Sequence, residues 1–411
     1  MYDEELEKAM LYYLIFEQED YLLDESDFVG ERNKKIIKAI NELKAEKQEI
    51  SMFAVKAKIK ANGKQVLDYI TSLSEYIRTS NVESVYTQLM ELSKKRKLLA
   101  LMQEKIMDIS DCENVDILAQ EIVKEVNNIE KINEKEKSFL EQVVETMEKI
   151  EKNTLERTDY SLYTGIQDLD QKTCGLHKQE LTIIGARPGV GKTTLALQIA
   201  EHIAEKGIET AIISLEMSDT QIIQKMIAKR TKINSYKMRM GTMEQADIDA
   251  MAIAGTEISE LPIHLITKAR TLQHIENIAR KLKNRSNLGL LVIDYIQLIK
   301  NKGRFGNREQ EVADITRTLK LLSLELDIPI IGLCQLSRNA TRQEPTLADL
   351  RESGAIEQDA DNVLFLYQEK EDEGSIVDVT LKIAKQRAGE LGKVSLKFNK
   401  TMSEFKGVMR C

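Results

Sequence analysis

At 411 residues the chain is long enough for about two or three domains with buried cores. No run approaches the roughly 18 apolar residues of a membrane helix, and the start Met1-Tyr2-Asp3-Glu4-Glu5 is acidic where a secretory signal is basic and then apolar, so a soluble, cytoplasmic protein is expected. The net charge of −8 excludes a uniformly basic polyelectrolyte but not a local basic lining, and Cys112, Cys174, Cys334 and Cys411 lie too far apart for a C-x-x-C zinc site or a disulfide framework.

All four prolines (Pro188, Pro262, Pro329, Pro345) follow residue 187, and before Gly165 the only glycines are Gly30 and Gly63. Such scarce turn punctuation marks roughly the first 160 residues as helical. Apolar periodicity predicts helices over 4–17, 31–46 and 52–61 and a longer one over 81–108. The last carries the basic run Lys94-Lys95-Arg96-Lys97, either a solvated face or a DNA contact. Residues 1–128 are therefore read as an all-α domain and 129–159 as a linker with one amphipathic helix. In that linker Ser138 and Glu141 form a capping-box signature, and Leu140, Val143, Val144, Met147 and Ile150 recur at helical spacing. A helix of that length needs a surface over its apolar stripe, on a neighbouring subunit or on its own chain.

Over 160–411 strand-like runs alternate with helical ones: Leu181–Ile184, Thr210–Leu215, Leu290–Ile293, Ile328–Leu333, Asn362–Leu366 and Val377–Ile383. This is the pattern of an α/β domain with a mostly parallel sheet, helices on both faces, and ligands at the carboxyl ends of its strands. The first run leads into Gly185-Ala186-Arg187-Pro188-Gly189-Val190-Gly191-Lys192-Thr193-Thr194 and then a helical pattern. That is a phosphate-binding loop in strand–loop–helix context, in which backbone N–H groups and a helix N-terminus cradle phosphate and Lys192 adds a point charge. Residues Ala186 through Thr194 are the expected nucleotide contacts, with ATP and Mg²⁺ as cofactors. Ala186 replaces the first glycine of the strict pattern. Thr193 and Asp294, the acid ending Leu290-Leu291-Val292-Ile293, are expected to hold Mg²⁺. Glu216, after Ile212-Ile213-Ser214-Leu215, is the candidate for orienting and deprotonating the attacking water. Gln335, closing Ile330–Cys334, is placed to sense a γ-phosphate through its amide.

These segments occur in order with Asn307-Arg308 through Lys320, Asp349-Leu350-Arg351-Glu352-Ser353-Gly354 and Lys385-Gln386-Arg387. Together they resemble the RecA-type motor of the DnaB family of replicative helicases, and Asp27-Phe28 and Thr79-Ser80-Asn81-Val82 extend the likeness to that family's helical N-terminal domain. The resemblance implies a homohexameric ATP-hydrolysing helicase that moves 5′ to 3′ on single-stranded DNA at a fork. Its N-terminal collar would meet primase, its linker helix would join neighbouring subunits, and a helicase loader would be a further partner. It also implies that Lys385 and Arg387 reach a neighbour's ATP site, with Arg387 as a finger, and that Arg351, Glu352 and Gly354 meet the DNA backbone. Two positions depart from the family: Cys174 stands where glycine is common, and Lys225 where arginine is. The rival readings are a RecA-type recombinase and a collar or loader without turnover.

Overall fold

The computed structural model describes residues 2–59, 64–74, 81–111, isolated positions between 118 and 129, 139–156, 162–301, 307–336, 344–350, 354–369 and 374–408. Ser138, Arg351, Glu352, Cys112 and Cys411 lie outside the described residues. The chain divides into two compact units, Met1–Lys149 and Ile150–Cys411.

The first unit contains α1 (Glu4–Phe16), α2 (Glu31–Ala45), α3 (Met52–Ile59), α4 (Lys64–Leu73) and α5 (Val82–Asp111). Asp3 starts α1 by accepting from the N–H groups of Glu5 and Leu6, which the first helical turn leaves without backbone partners. Met10, Leu14, Ile36, Ile40, Val55 and Leu89 meet in one core. Asp27, buried in a short turn before α2, ties that turn to α5: it accepts from Ser93 Oγ at 2.7 Å and pairs with Lys97 at 2.7 Å, while its carbonyl accepts from Arg96. Two cations of the basic run are thus used inside the domain, and Lys95 pairs with Glu91 on its own helix. The helix α6 (Phe139–Glu156) spans the division between the units, and Leu140, Val143, Val144, Met147 and Ile150 are all exposed along it.

In the second unit, chain order runs α7 (Gln167–Thr173), β1 (Leu181–Ala186), α8 (Lys192–Ala204), β2 (Thr210–Ser214), α9 (Asp219–Thr231), α10 (Ser235–Met240), α11 (Gln245–Ser259) and β3 (Ile263–Ile266). Next come α12 (Leu272–Ser286), β4 (Leu290–Asp294), α13 (Arg308–Leu326), β5 (Ile330–Gln335), α14 (Gly354–Asp359), β6 (Asn362–Tyr367), β7 (Ile376–Gln386), β8 (Gly392–Asn399) and β9 (Glu404–Gly407). The strands form one sheet in the order β3-β2-β4-β5-β1-β6-β7-β8-β9. Pairing is parallel from β3 to β6 and antiparallel from β6 to β9. Strands β1, β2 and β4 are buried along their whole length because helices cover both faces: α8 and α9 on one, α12 and α13 on the other.

Most differences from the predicted strands are at their ends. The run from Ile328 pairs only from Ile330, because Pro329 has no N–H to give a ladder and contributes its carbonyl to Leu291 instead. Strand β8 alternates buried Val394, Leu396 and Phe398 with exposed Lys393, Ser395 and Lys397, a period-two pattern the sequence reading passed over. Asp27→Ala should cost about 2–3 kcal/mol in chemical denaturation, since it leaves Ser93 and Lys97 unpaired below the surface, whereas Lys95→Ala should cost under about 0.5 kcal/mol.

Candidate functional site

Strand β1 delivers its chain to a loop whose backbone only glycine adopts easily. Gly189 and Gly191 have φ of +82° and +104°, and Gly191 ends the loop as the N-cap of α8. Ala186 is still in β1, paired with Gln335 and Leu366, so its extended backbone carries a methyl without strain. That accounts for the departure from the strict glycine pattern.

The loop and the start of α8 converge on the end of β4. Thr193 Oγ1 donates to Asp294 Oδ2 at 2.7 Å, and Lys192 Nζ lies 3.1 Å from Asp294 Oδ1. Lys192 is also 3.9 Å from Glu216 and 4.3 Å from the centroid of the Tyr295 ring. Asp294 is 2 % exposed, while the Glu216 side chain, on the loop after β2, is 51 % exposed. Burial, and then the carboxylates of Glu216 and Asp294, push the Tyr295 phenol up.

A cleft of about 380 Å³ opens over this cluster. Ala186, Arg187, Pro188, Gly189, Gly191, Lys192, Thr193, Thr194, Glu216 and Gln335 line it, so the structure gathers nearly the whole predicted nucleotide set. Val190 instead turns into the core, and Asp294 forms the floor below Thr193. Gln335 is held by its neighbour in space, Gln297, whose amide accepts from the Gln335 N–H at 3.3 Å and donates to its carbonyl at 3.2 Å.

Asp294 Oδ1 is buried and, among the described residues, accepts no hydrogen bond, its contact being the ion pair with Lys192. With Thr193 Oγ1 alongside, this is one hydroxyl and one carboxylate oxygen, the donor set of a Mg²⁺ ion that completes its shell with phosphate and water. No group of three or more His, Cys, Asp or Glu among the described residues makes an all-protein cage.

Sequence reasoning missed Met217, Phe398 and Lys400 as lining residues, the last two arriving on and beyond β8 with no motif to mark them. Lys225 also lines the cleft, donating to Thr194 Oγ1 at 3.3 Å, and burial pushes its ammonium down. Its helix α9 is clamped to α8: Lys229 and Arg230 pair at 2.9 and 2.8 Å with Glu201, whose carboxylate is 2 % exposed. Cys174, at the end of α7, has φ of +54°, the left-handed conformation for which glycine is suited.

Lys385 and Arg387 lie elsewhere. Lys385, on β7, donates to the carbonyls of Glu357 and Ala360, closing the C-terminal end of α14; burial, and then Arg387, push its ammonium down. Arg387 pairs with buried Asp361 at 3.1 Å and donates to the carbonyl of Gln358. Gly354 is the first residue of α14.

Two family models match the chain: residues 1–91 match the DnaB-like helicase N terminal domain and 161–407 the DnaB-like helicase C terminal domain. The chain belongs to the DnaB-like helicase family. It is 34 % identical over 410 residues to the replicative DNA helicase DnaB of Geobacillus stearothermophilus, covering 95 % of this chain and 90 % of that one. It is 35 % identical to the replicative DNA helicase DnaC of Bacillus subtilis (strain 168), covering 84 % and 79 %. Among solved structures it resembles a DnaB-like replicative helicase studied for its interactions with primase (TM-score 0.64, 28 % identity, 99 % of this chain and 100 % of that one). It also resembles a second solved structure, of an isolated ATPase domain (TM-score 0.61, 32 % identity, 67 % and 100 %). Within this DnaB-like chain the two alanine/glycine positions of the loop make opposite predictions. Ala186→Gly should leave nucleotide affinity within about twofold and lower stability by about 0.5–1 kcal/mol, while Gly191→Ala should remove detectable nucleotide binding in a fluorescent-nucleotide titration.

Proposed function

We propose that this chain is an ATP-dependent replicative DNA helicase that works in the cytoplasm as a homohexameric ring, moving 5′ to 3′ on single-stranded DNA and displacing the other strand at a fork. The observation that carries this reading is the meeting of Lys192, Thr193 and Asp294 within about hydrogen-bonding reach at the end of a parallel sheet, with Glu216 one loop away. Bound ATP with Mg²⁺ supplies the phosphoryl group to be transferred and a cation that neutralises developing charge. Thr193 and Asp294 would hold that cation, and Lys192 would turn from the two carboxylates to phosphate oxygens. Glu216, half exposed beside the cleft, would take a proton from attacking water, and Gln335 would donate its amide to the terminal phosphate. Residues 1–128 would form the collar that meets primase, a helicase loader would place the ring on DNA, and 129–159 would link the two domains. The exposed apolar stripe of α6 supports a neighbouring subunit as its cover. Arg351, Glu352 and Gly354 are the proposed contacts to the DNA backbone.

The placement of Arg387 favours a role in trans. Its partner Asp361 accepts from the N–H of Leu181, the first residue of β1, at 2.8 Å, whereas the phosphate loop follows the last residue, Ala186. At about 3.3 Å per residue these ends are about 17 Å apart, beyond the span of an arginine side chain. Its place at the opposite end of β1 from the phosphate loop supports the reading that Arg387 serves a neighbouring subunit's nucleotide.

A labelled fork tests the reading. Unwinding should require ATP and a 5′ tail, with no strand exchange between homologous duplexes. Lys192→Ala should lose nucleotide binding, and Glu216→Gln should bind ATP but unwind at least about a hundredfold more slowly, because it lacks only the proton acceptor. Unwinding by Glu216→Gln at the normal rate would remove the base assignment.

The trans assignment has its own test. Arg387→Ala and Lys192→Ala rings are each expected to be inactive, but mixed rings contain interfaces that join an intact loop to an intact finger. Mixing should therefore restore measurable ATPase. If labelled subunits exchange and hydrolysis stays at the level of the parents across all ratios, Arg387 does not act in trans.

A further inference from the structure

Gly191 is confined by more than its torsion angle. A Cβ there would lie 2.8 Å from Phe405 Cζ and 2.9 Å from Phe398 Cε1, so two rings rest against its α-carbon. At Gly189, two residues earlier, no atom of the described residues comes within 4 Å of such a Cβ. The rings belong to the hairpin β8–β9, where Phe398 and Phe405 are partners in register and stack at 4.3 Å between centroids and 7° between planes. β9 is the last strand of the sheet, and its outer edge is not left to solvent at Phe405. The side-chain amide of Gln198, on α8, accepts from the Phe405 N–H at 2.8 Å and donates to the Phe405 carbonyl at 2.9 Å. Gln198 therefore pairs with the edge as an added strand residue would, fastening the hairpin to the helix that begins with Lys192.

We propose that the hairpin β8–β9 is a buttress that holds the phosphate-binding loop in its binding shape, with Phe405 and Gln198 as positioning residues. The proposal rests on the nucleotide reading above and deepens it. A concave array of N–H groups binds an anion well only when its backbone is already in place, because a loose loop must be ordered at the moment of binding. Gly191, with no side chain and φ of +104°, cannot supply that rigidity itself. The rings supply it by closing the space into which the loop would otherwise relax. Loosening them should weaken binding of nucleotide, while the bound state, once ordered, keeps its chemistry.

Gln198→Met keeps the side-chain volume and removes both hydrogen bonds; Phe405→Leu keeps an apolar residue and removes the stacked ring. In the full chain with Mg²⁺, each should raise the Kd for a fluorescent ATP analogue and the KM for ATP about tenfold, on the scale of one or two lost net hydrogen bonds, with kcat within about twofold. In nucleotide-free protein, amide exchange across 187–193 should be several-fold faster in Gln198→Met, with far-UV circular dichroism unchanged. If Phe405→Leu does not fold, Gln198→Met alone decides. Wild-type affinity and wild-type loop exchange in a folded Gln198→Met overturn the buttress and leave the nucleotide reading standing. Failure of the wild-type chain itself to bind the analogue, with Lys192→Ala no different, overturns the nucleotide reading instead.

Discussion

The hydrogen bond from Thr193 to Asp294 depends on a strand order that the chain does not follow in sequence. The two residues stand on elements 101 positions apart, and their strands are not neighbours: β5 lies between β1 and β4. With strands about 4.8 Å apart, the loop after β1 must cross about 10 Å to bring the first turn of α8 over the end of β4. Along that path Gly189 and Gly191 adopt left-handed backbone, and the N-terminal end of α8 faces the cleft. The buried sheet fixes the two ends, and the glycines make the bridge.

What could be read from the sequence was whatever lies contiguous along it. The loop from Ala186 to Thr194 is one segment, and Asp294 announces itself as an acid ending four apolar residues. The parallel sheet followed from strand-like runs separated by helical spacing. Contacts made across the fold left no such trace. Gln198 and Phe405 are 207 residues apart, and each is ordinary in its own neighbourhood. Strand β3 has four residues, all half-buried, too short and too mixed to stand out. Lys385 and Arg387 drew attention only through a family resemblance, because nothing local shows that a helix end and a buried aspartate would meet them.

Several charged side chains outside the cleft act as ties between elements. Asp361 takes the Leu181 N–H, Lys320 at 2.7 Å and Arg387, joining β1, α13 and the stretch beyond β7. Glu201 does the same for α8 and α9 through Lys229 and Arg230, and Arg230 continues to Glu205 and Glu257. Removing either carboxylate would leave several cations without their shared partner, which is where buried pairs matter most for stability. Lys225, which lines the cleft, lies on the same helix as the cations of the second tie.

The opposite ends of β1 carry different halves of the proposed catalytic set: phosphate loop at one, Arg387 at the other. A two-fold dimer matches a patch to itself, so halves set on opposite edges call for head-to-tail association. In an open chain of such contacts, one terminal subunit lacks a finger for its nucleotide and the subunit at the other terminus has a finger with nothing to serve. Closure removes both defects at once. In the proposed ring a lock-washer break would cost one working site, and the seam would be the place where nucleotide exchanges most freely.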